Sequence, residues 1–273
     1  MALQNKNSSK PINLELSIQI SLSGLSFCIL NRDSNTITYL KEKPFEKNLN
    51  PIEALDVLKE HFNDVIVFNN EFSKVTIIHD NDLSALVPKP LFNEDCLADY
   101  LKFNSKILKS DFITFDNILI NDSVNVYVPY VNFNNFIYEK FGSFTYKHIS
   151  TILIEEILSV EKNNEDSRIY VNVSSNHFET MAVKNSKLVL YNSFNYSSKE
   201  DFIYFILFTA EQLNLNPESL DLVLIGEISK NDELYNIAYK YIRNIRFGNR
   251  NDSYKFDQKP NSEYSNFTLI KSF

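Results

Sequence analysis

The residues best suited to acid–base chemistry form one short run, His79-Asp80-Asn81-Asp82. The run follows an apolar stretch, Val75 to Ile78, whose residue types predict a strand buried on both faces. Ligand sites favour the carboxyl ends of strands in open α/β sheets, so a role in proton transfer is one interpretation. A polar turn after a buried strand explains the same residues, and the sequence favours this simpler interpretation.

Metal binding has little support in the sequence. The four histidines of the chain never occur at the close spacing of metal ligands. Cys28 and Cys96 are widely separated, which predicts two small buried hydrophobic residues rather than a disulfide or a thiolate site. We therefore expect no metal site and no bound cofactor from these residue types.

Two short polar turns stand in matching surroundings. The run from Leu14 to Phe45, LELSIQISLSGLSFCILNRDSNTITYLKEKPF, returns in similar form from Ser167 to Phe194, SRIYVNVSSNHFETMAVKNSKLVLYNSF. Apolar residues alternate through both runs, which predicts three antiparallel strands in each. Internal repetition of this kind predicts a tandem duplication. The two turns are Ser21-Leu22-Ser23-Gly24 and Asn172-Val173-Ser174-Ser175.

Each copy continues with a helix and another apolar strand. In the first copy the helix is predicted from Pro51 to His61, with Asn50 as its cap. In the second copy a helix is predicted over Lys199 to Leu213 and a buried strand over Leu220 to Ile225. The spacing then predicts a last helix from Asp232 to Arg246.

The first copy carries additional segments. Leu83 to Phe92 contains two prolines and is predicted to be extended or looped, Asn93 starts a helix, and Phe112 to Val131 alternates like strands. Helices are predicted over Asn132 to Phe141 and His148 to Val160. The first half therefore contains an inserted layer that the second half lacks.

Length, charge and hydropathy narrow the classes of function. The chain has 273 residues, 44% of them hydrophobic, which is enough for two ordinary domain cores. A net charge of -8 opposes binding to phosphate backbones, so no nucleic-acid partner is expected. The N-terminus lacks the apolar core of a secretory signal, and the apolar run Phe202 to Phe208 is too short to cross a bilayer. We expect a cytoplasmic protein without membrane insertion.

The duplicated unit of three antiparallel strands, a helix and a parallel strand resembles the actin-like ATPase fold of sugar kinases, actin and DnaK-type chaperones. Two runs, LSIQISLSGLSFCIL and LVPKPLFNEDCLADYLKFN, are similar to an uncharacterised bacterial family, a domain of unknown function assigned to that fold. The resemblance implies an α/β protein made of two ribonuclease H-like domains. They are placed at residues 13–166, including the inserted layer, and at residues 167–248. A flexible tail is expected at residues 1–12, and a loosely held C-terminal tail at residues 249–273, whose last apolar residues dock on the same chain or on a partner.

The resemblance also implies where a nucleotide would bind. In active members of the fold, an acidic residue and glycines in each hairpin turn hold metal and phosphate. Both acids are missing here, because Ser21 and Asn172 stand in their places. Mg²⁺ needs hard oxygen ligands, and phosphoryl transfer depends on electrostatic positioning, so most of the catalytic field is expected to be lost. The degenerate nucleotide-site positions are Ser21, Ser23, Gly24, Asn172, Ser174, Ser175 and, in the loop that would contact the nucleoside, Gly226.

Two functions follow from this interpretation. The first is a catalytically degenerate actin-like protein that acts as a binding or scaffold module, with a protein partner or by self-association, and without a cofactor. The alternative is a slow or atypical ATPase or kinase that binds ATP with Mg²⁺ in the interdomain cleft. A nuclease of the half-fold type is disfavoured by the acidic charge balance.

Overall fold

The computed structural model describes residues 13–273, and the flexible tail predicted at residues 1–12 lies outside them. The strands are β1 (Leu14–Ser21), β2 (Gly24–Asn31), β3 (Thr36–Pro44), β4 (Lys74–His79), β5 (Ser84–Pro88), β6 (Thr114–Ile118), β7 (Ser123–Tyr127), β8 (Thr145–His148), β9 (Arg168–Val173), β10 (His177–Lys184), β11 (Lys187–Asn195), β12 (Asp221–Gly226), β13 (Asn244–Phe247) and β14 (Lys255–Phe256). The helices are α1 (Pro51–Asp64), α2 (Leu97–Leu101), α3 (Val131–Phe141), α4 (Ile149–Val160), α5 (Lys199–Gln212), α6 (Glu233–Tyr241) and α7 (Phe267–Lys271).

Two sheets repeat one topology. In the first, β1, β2 and β3 are antiparallel neighbours and β4 and β8 continue parallel to β1, in the order β14-β3-β2-β1-β4-β8. In the second, β9, β10 and β11 are antiparallel and β12 and β13 continue parallel to β9, in the order β11-β10-β9-β12-β13. The predicted duplication and the antiparallel start of each copy are confirmed. The boundaries proposed at residues 166 and 248 stay predictions.

A small third sheet, ordered β5-β7-β6, forms the inserted layer of the first half. Its strands are antiparallel, and Val87, Val124 and Val126 pack with Leu101 of α2 into a separate apolar cluster. Alternation over Phe112 to Val131 therefore predicted β6 and β7, while the segment that forms β5 was predicted to be extended or looped. The helix predicted to start at Asn93 is a 3₁₀ turn followed by the short α2.

The caps of the main helices follow from local chemistry. The Asn50 side chain accepts hydrogen bonds from the amides of Ile52 and Glu53, both at 3.0 Å. The Glu53 carboxylate in turn accepts from the Asn50 amide at 3.0 Å, which completes a capping box at the start of α1. Ser198 and Asp201 form the same arrangement at the start of α5.

One buried apolar cluster joins the two main sheets. It contains residues of both, such as Cys28 and Met181, together with α4, which is buried along most of its length, and α7. Separate clusters cover the other faces of the sheets, under α1 and α3 in the first half and under α5 and α6 in the second. Because both faces are covered, the central strands are apolar on both sides.

One predicted helix is wrong over its last five residues. The helix expected from Asp232 to Arg246 ends at Tyr241, and Asn244–Phe247 forms β13, which pairs in parallel with β12. The spacing of apolar residues cannot show that β12 has an edge available for pairing. Pairing with that edge overrides the helical preference of residues 244–247. Strand β8 was also missed, and the helix predicted from His148 begins at Ile149.

The prediction of a loosely held C-terminal tail is wrong as well. Strand β14 pairs in parallel with β3, and Leu269 and Ile270 of α7 are 1% and 0% exposed. The last apolar residues do dock on the same chain, as one of the two predicted possibilities. In addition, Lys271 forms a 2.7 Å ion pair with Glu156 of α4.

No helix within residues 13–273 has the length and apolar character needed to cross a membrane.

Candidate binding cleft

The two hairpin turns face one cavity between the halves of the molecule. Its volume is about 110 Å³, and all of the predicted nucleotide-site positions line it. The structure therefore brings the predicted set together, and its assignment to a nucleotide stays a prediction. The residues concerned are Ser21, Ser23, Gly24, Asn172, Ser174, Ser175 and Gly226.

The first turn is closed by its own serines. The Ser23 amide donates to the Ser21 hydroxyl oxygen at 3.2 Å, and the two hydroxyl oxygens lie 2.9 Å apart. The Ser23 amide is thus already bonded within the turn. Gly24 lies against β3, where an added Cβ would stand 3.1 Å from the Lys43 carbonyl oxygen.

The second turn is also bonded internally. The Ser174 amide donates to the His177 carbonyl at 2.9 Å, and the Tyr196 hydroxyl donates to the Ser174 carbonyl at 2.7 Å. Asn172 is 6% exposed, and its amide nitrogen donates to a Glu179 carboxylate oxygen at 2.8 Å. The side chain at the position of the second missing acid is therefore held by a neighbouring carboxylate.

Gly226 is required by its backbone conformation and by its surroundings. Its φ is +83°, and an added Cβ would stand 2.4 Å from the Val173 carbonyl oxygen and 2.8 Å from Oδ1 of Asn172. Only glycine fits such a close approach of two strands with positive φ. The Gly226 amide donates to the Tyr264 carbonyl at 2.9 Å, so it is bonded to the C-terminal segment.

We use "C-terminal segment" for residues 264–272, of which Asn266 to Leu269 line the cleft. The Thr268 hydroxyl donates to Oε1 of Gln19 at 2.6 Å, and the Ser17 and Ser272 hydroxyl oxygens lie 2.7 Å apart. The Tyr264 ring stacks on Phe247, with centroids 4.4 Å apart and planes 8° from parallel. The segment therefore contacts both halves of the molecule.

Two carboxylates from opposite halves meet at Asn266. The Asn266 side-chain nitrogen donates to Glu42 of β3 and, at 3.4 Å, to Glu227, which follows β12. Burial and the nearby Glu42 carboxylate raise the pKa of Glu227 to about 7. At neutral pH this pair holds less negative charge than two ordinary glutamates would.

A buried charged cluster lies beside the cavity. His177 Nε2 is 3.0 Å from Oδ1 of Asp80 and 3.2 Å from Oε1 of Glu179. Asp80 follows β4 in the first half, while His177 and Glu179 alternate along β10 in the second, with exposures of 3%, 9% and 2%. The cluster thus connects the two halves through groups that are almost fully removed from water.

Both ring nitrogens of His177 face acceptors. Nδ1 is 2.9 Å from Oδ1 of Asn176, whose own nitrogen donates to Asn48 at 2.8 Å, and Nε2 faces the two carboxylates. Burial alone would lower the pKa of His177, but Asp80 and Glu179 raise it well above its usual range. Burial would likewise raise the pKa of Asp80, and His177 lowers it instead. The two acidic neighbours therefore favour the protonated form of His177.

Two other members of the acid–base run, His79 and Asn81, have structural roles. His79 is fully buried, and its Nε2 lies 3.1 Å from Oδ1 of Asn134. Burial, together with the nearby His148, lowers the pKa of His79 to about 3, so this ring stays neutral. The Asn81 side chain donates to the Val128 carbonyl at 3.0 Å. From this run, Asp80 joins the charged cluster.

Sequence reasoning identified Asp80 as a candidate but missed its partners. His177 and Glu179 are two residues apart in a strand, a spacing that places both side chains on one face. That signal was available in the sequence. Their meeting with Asp80, 97 positions away from His177, depends on the packing of the two halves.

A second opening lies between β5 of the inserted layer and β11 of the second sheet. Its volume is about 960 Å³, and its walls include Ala85, Leu86, Val189 and Tyr191. Strands β5 and β11 are both at the edge of their sheets among the described residues. Asp82 is the charged residue among those that line this groove.

The duplicated sheets and the cleft between them define a protein of the actin-like ATPase fold, as the resemblance implied. The chain matches over residues 3–245 the family described as "Protein of unknown function (DUF3822)". It belongs to this family, so the predicted membership of an uncharacterised family is confirmed.

Solved structures support the same fold. One is a Bacteroides thetaiotaomicron protein with an actin-like ATPase fold and unknown function, 24% identical, with a TM-score of 0.78 over 89% of this chain and 93% of that one. Another is the PilM–PilN type IV pilus biogenesis complex, 12% identical, with a TM-score of 0.60 over 89% and 90%. The comparison with curated proteins found no match.

Proposed function

We propose that this chain is a partner-binding module of the actin-like fold that does not turn over nucleotide. The observation that carries the proposal is the C-terminal segment, whose Phe267, Thr268 and Leu269 line the cleft where a nucleotide would lie. The space left is about 110 Å³, whereas pockets for small molecules usually measure about 300–1,000 Å³. A nucleotide would first have to displace this segment.

The chemistry of the turns supports the same proposal. Ser21 and Asn172 are neutral at the two positions where active members of the fold carry acids. The carboxylates that do lie close by, Asp80 and Glu179, are held by His177. A metal–phosphate complex would therefore have to compete for ligands that already have partners.

The groove between β5 and β11 is the proposed partner site, and its occupant is an extended segment of a protein partner. Strand edges carry unpaired N–H and C=O groups, which an added strand can pair with on either side. Asp82 would favour a basic side chain in the bound segment. PilM, which shares the fold, is named in a complex with PilN, and this supports a binding role for the fold without identifying a partner here.

Nucleotide binding is tested first, by thermal unfolding with and without millimolar ATP and Mg²⁺. A ligand that binds the native state raises the unfolding temperature. Because the proposal has no nucleotide bound, it predicts the same unfolding temperature for the full chain with and without ATP. The same scan is run on the double variant Asn266→Ala, Thr268→Ala, which weakens the cleft contacts of the C-terminal segment. Asn163→Ala, at an exposed residue outside the cleft, is the control.

A dose-dependent rise in the unmodified chain would contradict the proposal. A rise in the double variant alone would favour the second candidate function, a nucleotide site that the C-terminal segment covers. That candidate is supported by the strand–glycine–turn geometry retained at Gly226 and by the convergence of all predicted positions on one cavity.

The groove is tested by a photo-crosslinking residue at Val189, which is 51% exposed on β11, in the cells that produce the protein. The control is the same residue at Tyr239, which is 64% exposed on α6. We expect an adduct with one protein at Val189, mapped by mass spectrometry to a short segment, and none at Tyr239. Equal adducts at both positions, or an adduct at neither, would refute this site.

A further inference from the structure

The buried cluster of Asp80, His177 and Glu179 has the donor set of a metal site. One imidazole nitrogen and two carboxylate oxygens, one from each residue, all lie within 4.8 Å of one another. Nitrogen and oxygen donors of this kind suit divalent transition metals, Zn²⁺ in particular. Although Asp80 is 97 positions from His177 in the sequence, the fold brings all three ligands to one point.

The spacing of the donor atoms suits an ion at their centre. Zn²⁺ binds histidine nitrogen at about 2.0–2.1 Å and carboxylate oxygen at about 2.0–2.2 Å, so in tetrahedral geometry its neighbouring ligands stand about 3.3–3.5 Å apart. The distances from His177 Nε2 to Asp80 and Glu179 are 3.0 and 3.2 Å. An ion could therefore enter with small movements of these side chains.

Each of the three ligands also forms a hydrogen bond through the atom that faces away from the proposed metal. Asn176 Oδ1 lies 2.9 Å from His177 Nδ1, which leaves Nε2 free for a metal once its proton is displaced. Gln19 donates to the second oxygen of Asp80 at 3.0 Å, and Asn172 donates to the second oxygen of Glu179 at 2.8 Å. Metal ligands are typically oriented in this way by outer partners, which fix the ring tautomer and the carboxylate plane.

Charge and access are consistent with a cation. Two carboxylates and a neutral imidazole carry two negative charges, which a divalent ion would balance in a site that is almost closed to water. A neighbouring cavity of about 180 Å³, lined by Asp80, His177, Asn48 and Tyr130, provides a path of entry.

We propose that Asp80, His177 and Glu179 bind a divalent transition metal, with Zn²⁺ as the first choice, and that this ion fastens the two halves of the molecule together. The site uses other ligands than the two acids of active relatives, whose positions Ser21 and Asn172 occupy, although Asp80 lines the same cavity. It also assigns a purpose to Asn172, which orients Glu179 where an acid would add a third negative charge.

The test uses the untagged full chain, treated with EDTA, dialysed and titrated with Zn²⁺ by calorimetry. We expect stoichiometric binding, a higher unfolding temperature with Zn²⁺, and at least a tenfold weaker affinity in Glu179→Gln and in Asp80→Asn. Two controls should bind like the unmodified chain. Glu227→Gln removes a carboxylate from the same cleft, and His61→Gln removes a half-buried imidazole on α1.

Circular dichroism establishes whether each variant is folded, and the visible spectrum of the Co²⁺-loaded chain reports on the ligands directly. Glu179→Gln should change that spectrum, while the controls should not. If both acidic variants fail to fold, Asn172→Ala replaces them, since it keeps all three ligands and removes an outer partner. Absence of stoichiometric binding by the folded chain, or unchanged affinity in the folded variants, would overturn the proposal.

Discussion

Replacing Gly226 by alanine is expected to destabilise the molecule more than the same replacement at Gly142. Two contributions add. A non-glycine residue at φ +83° costs about 1–2 kcal/mol. The new Cβ would also stand 2.4 Å from the Val173 carbonyl, under the 3.0 Å that real contacts keep, so the paired ends of β9 and β12 must separate.

That separation weakens particular bonds. The Val173 carbonyl accepts from the Glu227 amide at 2.7 Å, and the Gly226 amide donates to Tyr264 at 2.9 Å. A typical hydrogen bond contributes about 0.5–1.5 kcal/mol, so partial loss of both brings the expected cost to about 3 kcal/mol. The same shift should loosen the C-terminal segment.

Gly142→Ala is the matched control, because Gly142 has φ +77° and no atom within 4 Å of an added Cβ. Its cost is conformational only, since φ +77° with ψ −134° is a region that glycine adopts far more readily than alanine. Urea unfolding followed by circular dichroism measures both variants, with equal slopes required for a direct comparison. Equal losses of stability in the two variants would refute the reasoning from close approach.

Three further outcomes are expected. Ile270→Ala should lower the free energy of unfolding by about 2–5 kcal/mol, since the residue is fully buried in the cluster between the sheets; a loss below about 1 kcal/mol would mean that the C-terminal segment is not part of the core. Asn50→Ala should cost about 1 kcal/mol in urea unfolding because the cap of α1 is lost, and Asn50→Asp should restore most of it. Glu227 has a pKa raised from 4.5 to about 7, so the folded state binds its proton more tightly than the unfolded state does. This proton binding adds to the free energy of unfolding in full below pH 4.5, and the addition is lost as pH rises through about 7. After solvent screening it should stay under about 1 kcal/mol. Glu227→Gln should flatten the dependence of the free energy of unfolding on pH across this range, and an unchanged dependence would contradict the assigned pKa.

The repeat, the two turns and the capped helices could be predicted from the sequence because each depends on residues close together in the chain. Asn50 bonds amides two and three residues away, and Ser21 bonds the amide of Ser23. Alternation also predicted β6 and β7 of the inserted layer. The positions implied by the resemblance then met at one cavity, since the fold places both hairpin turns at the same edge.

The rest depends on contacts over long separations. Strand β13 forms because β12 offers an edge, and α7 is helical within a cluster made by both sheets, although a five-residue helix is unstable alone. The same limit applies to the charged cluster, because Asp80 gives no sign in the sequence that it will meet His177. Local pattern therefore determined the parts of each half, and packing between the halves determined the site.

The two candidate functions differ in one quantity, the free energy that holds the C-terminal segment in the cleft. A ligand that needs the segment displaced binds with an affinity reduced by the fraction of molecules in which the cleft is open. If docking is worth about 3 kcal/mol, that fraction is about 1 in 150, and a nucleotide site with an intrinsic Kd of about 10 μM would require about 1.5 mM ATP. An unmodified chain whose unfolding temperature does not change with millimolar ATP is thus compatible with a covered nucleotide site. The double variant Asn266→Ala, Thr268→Ala separates the cases, because it raises the open fraction while leaving Ser21, Asn172 and Gly226 unchanged. With a degenerate cleft, ATP raises the unfolding temperature of neither protein. With a covered site, ATP raises the unfolding temperature of the double variant, in which the C-terminal segment is loosened.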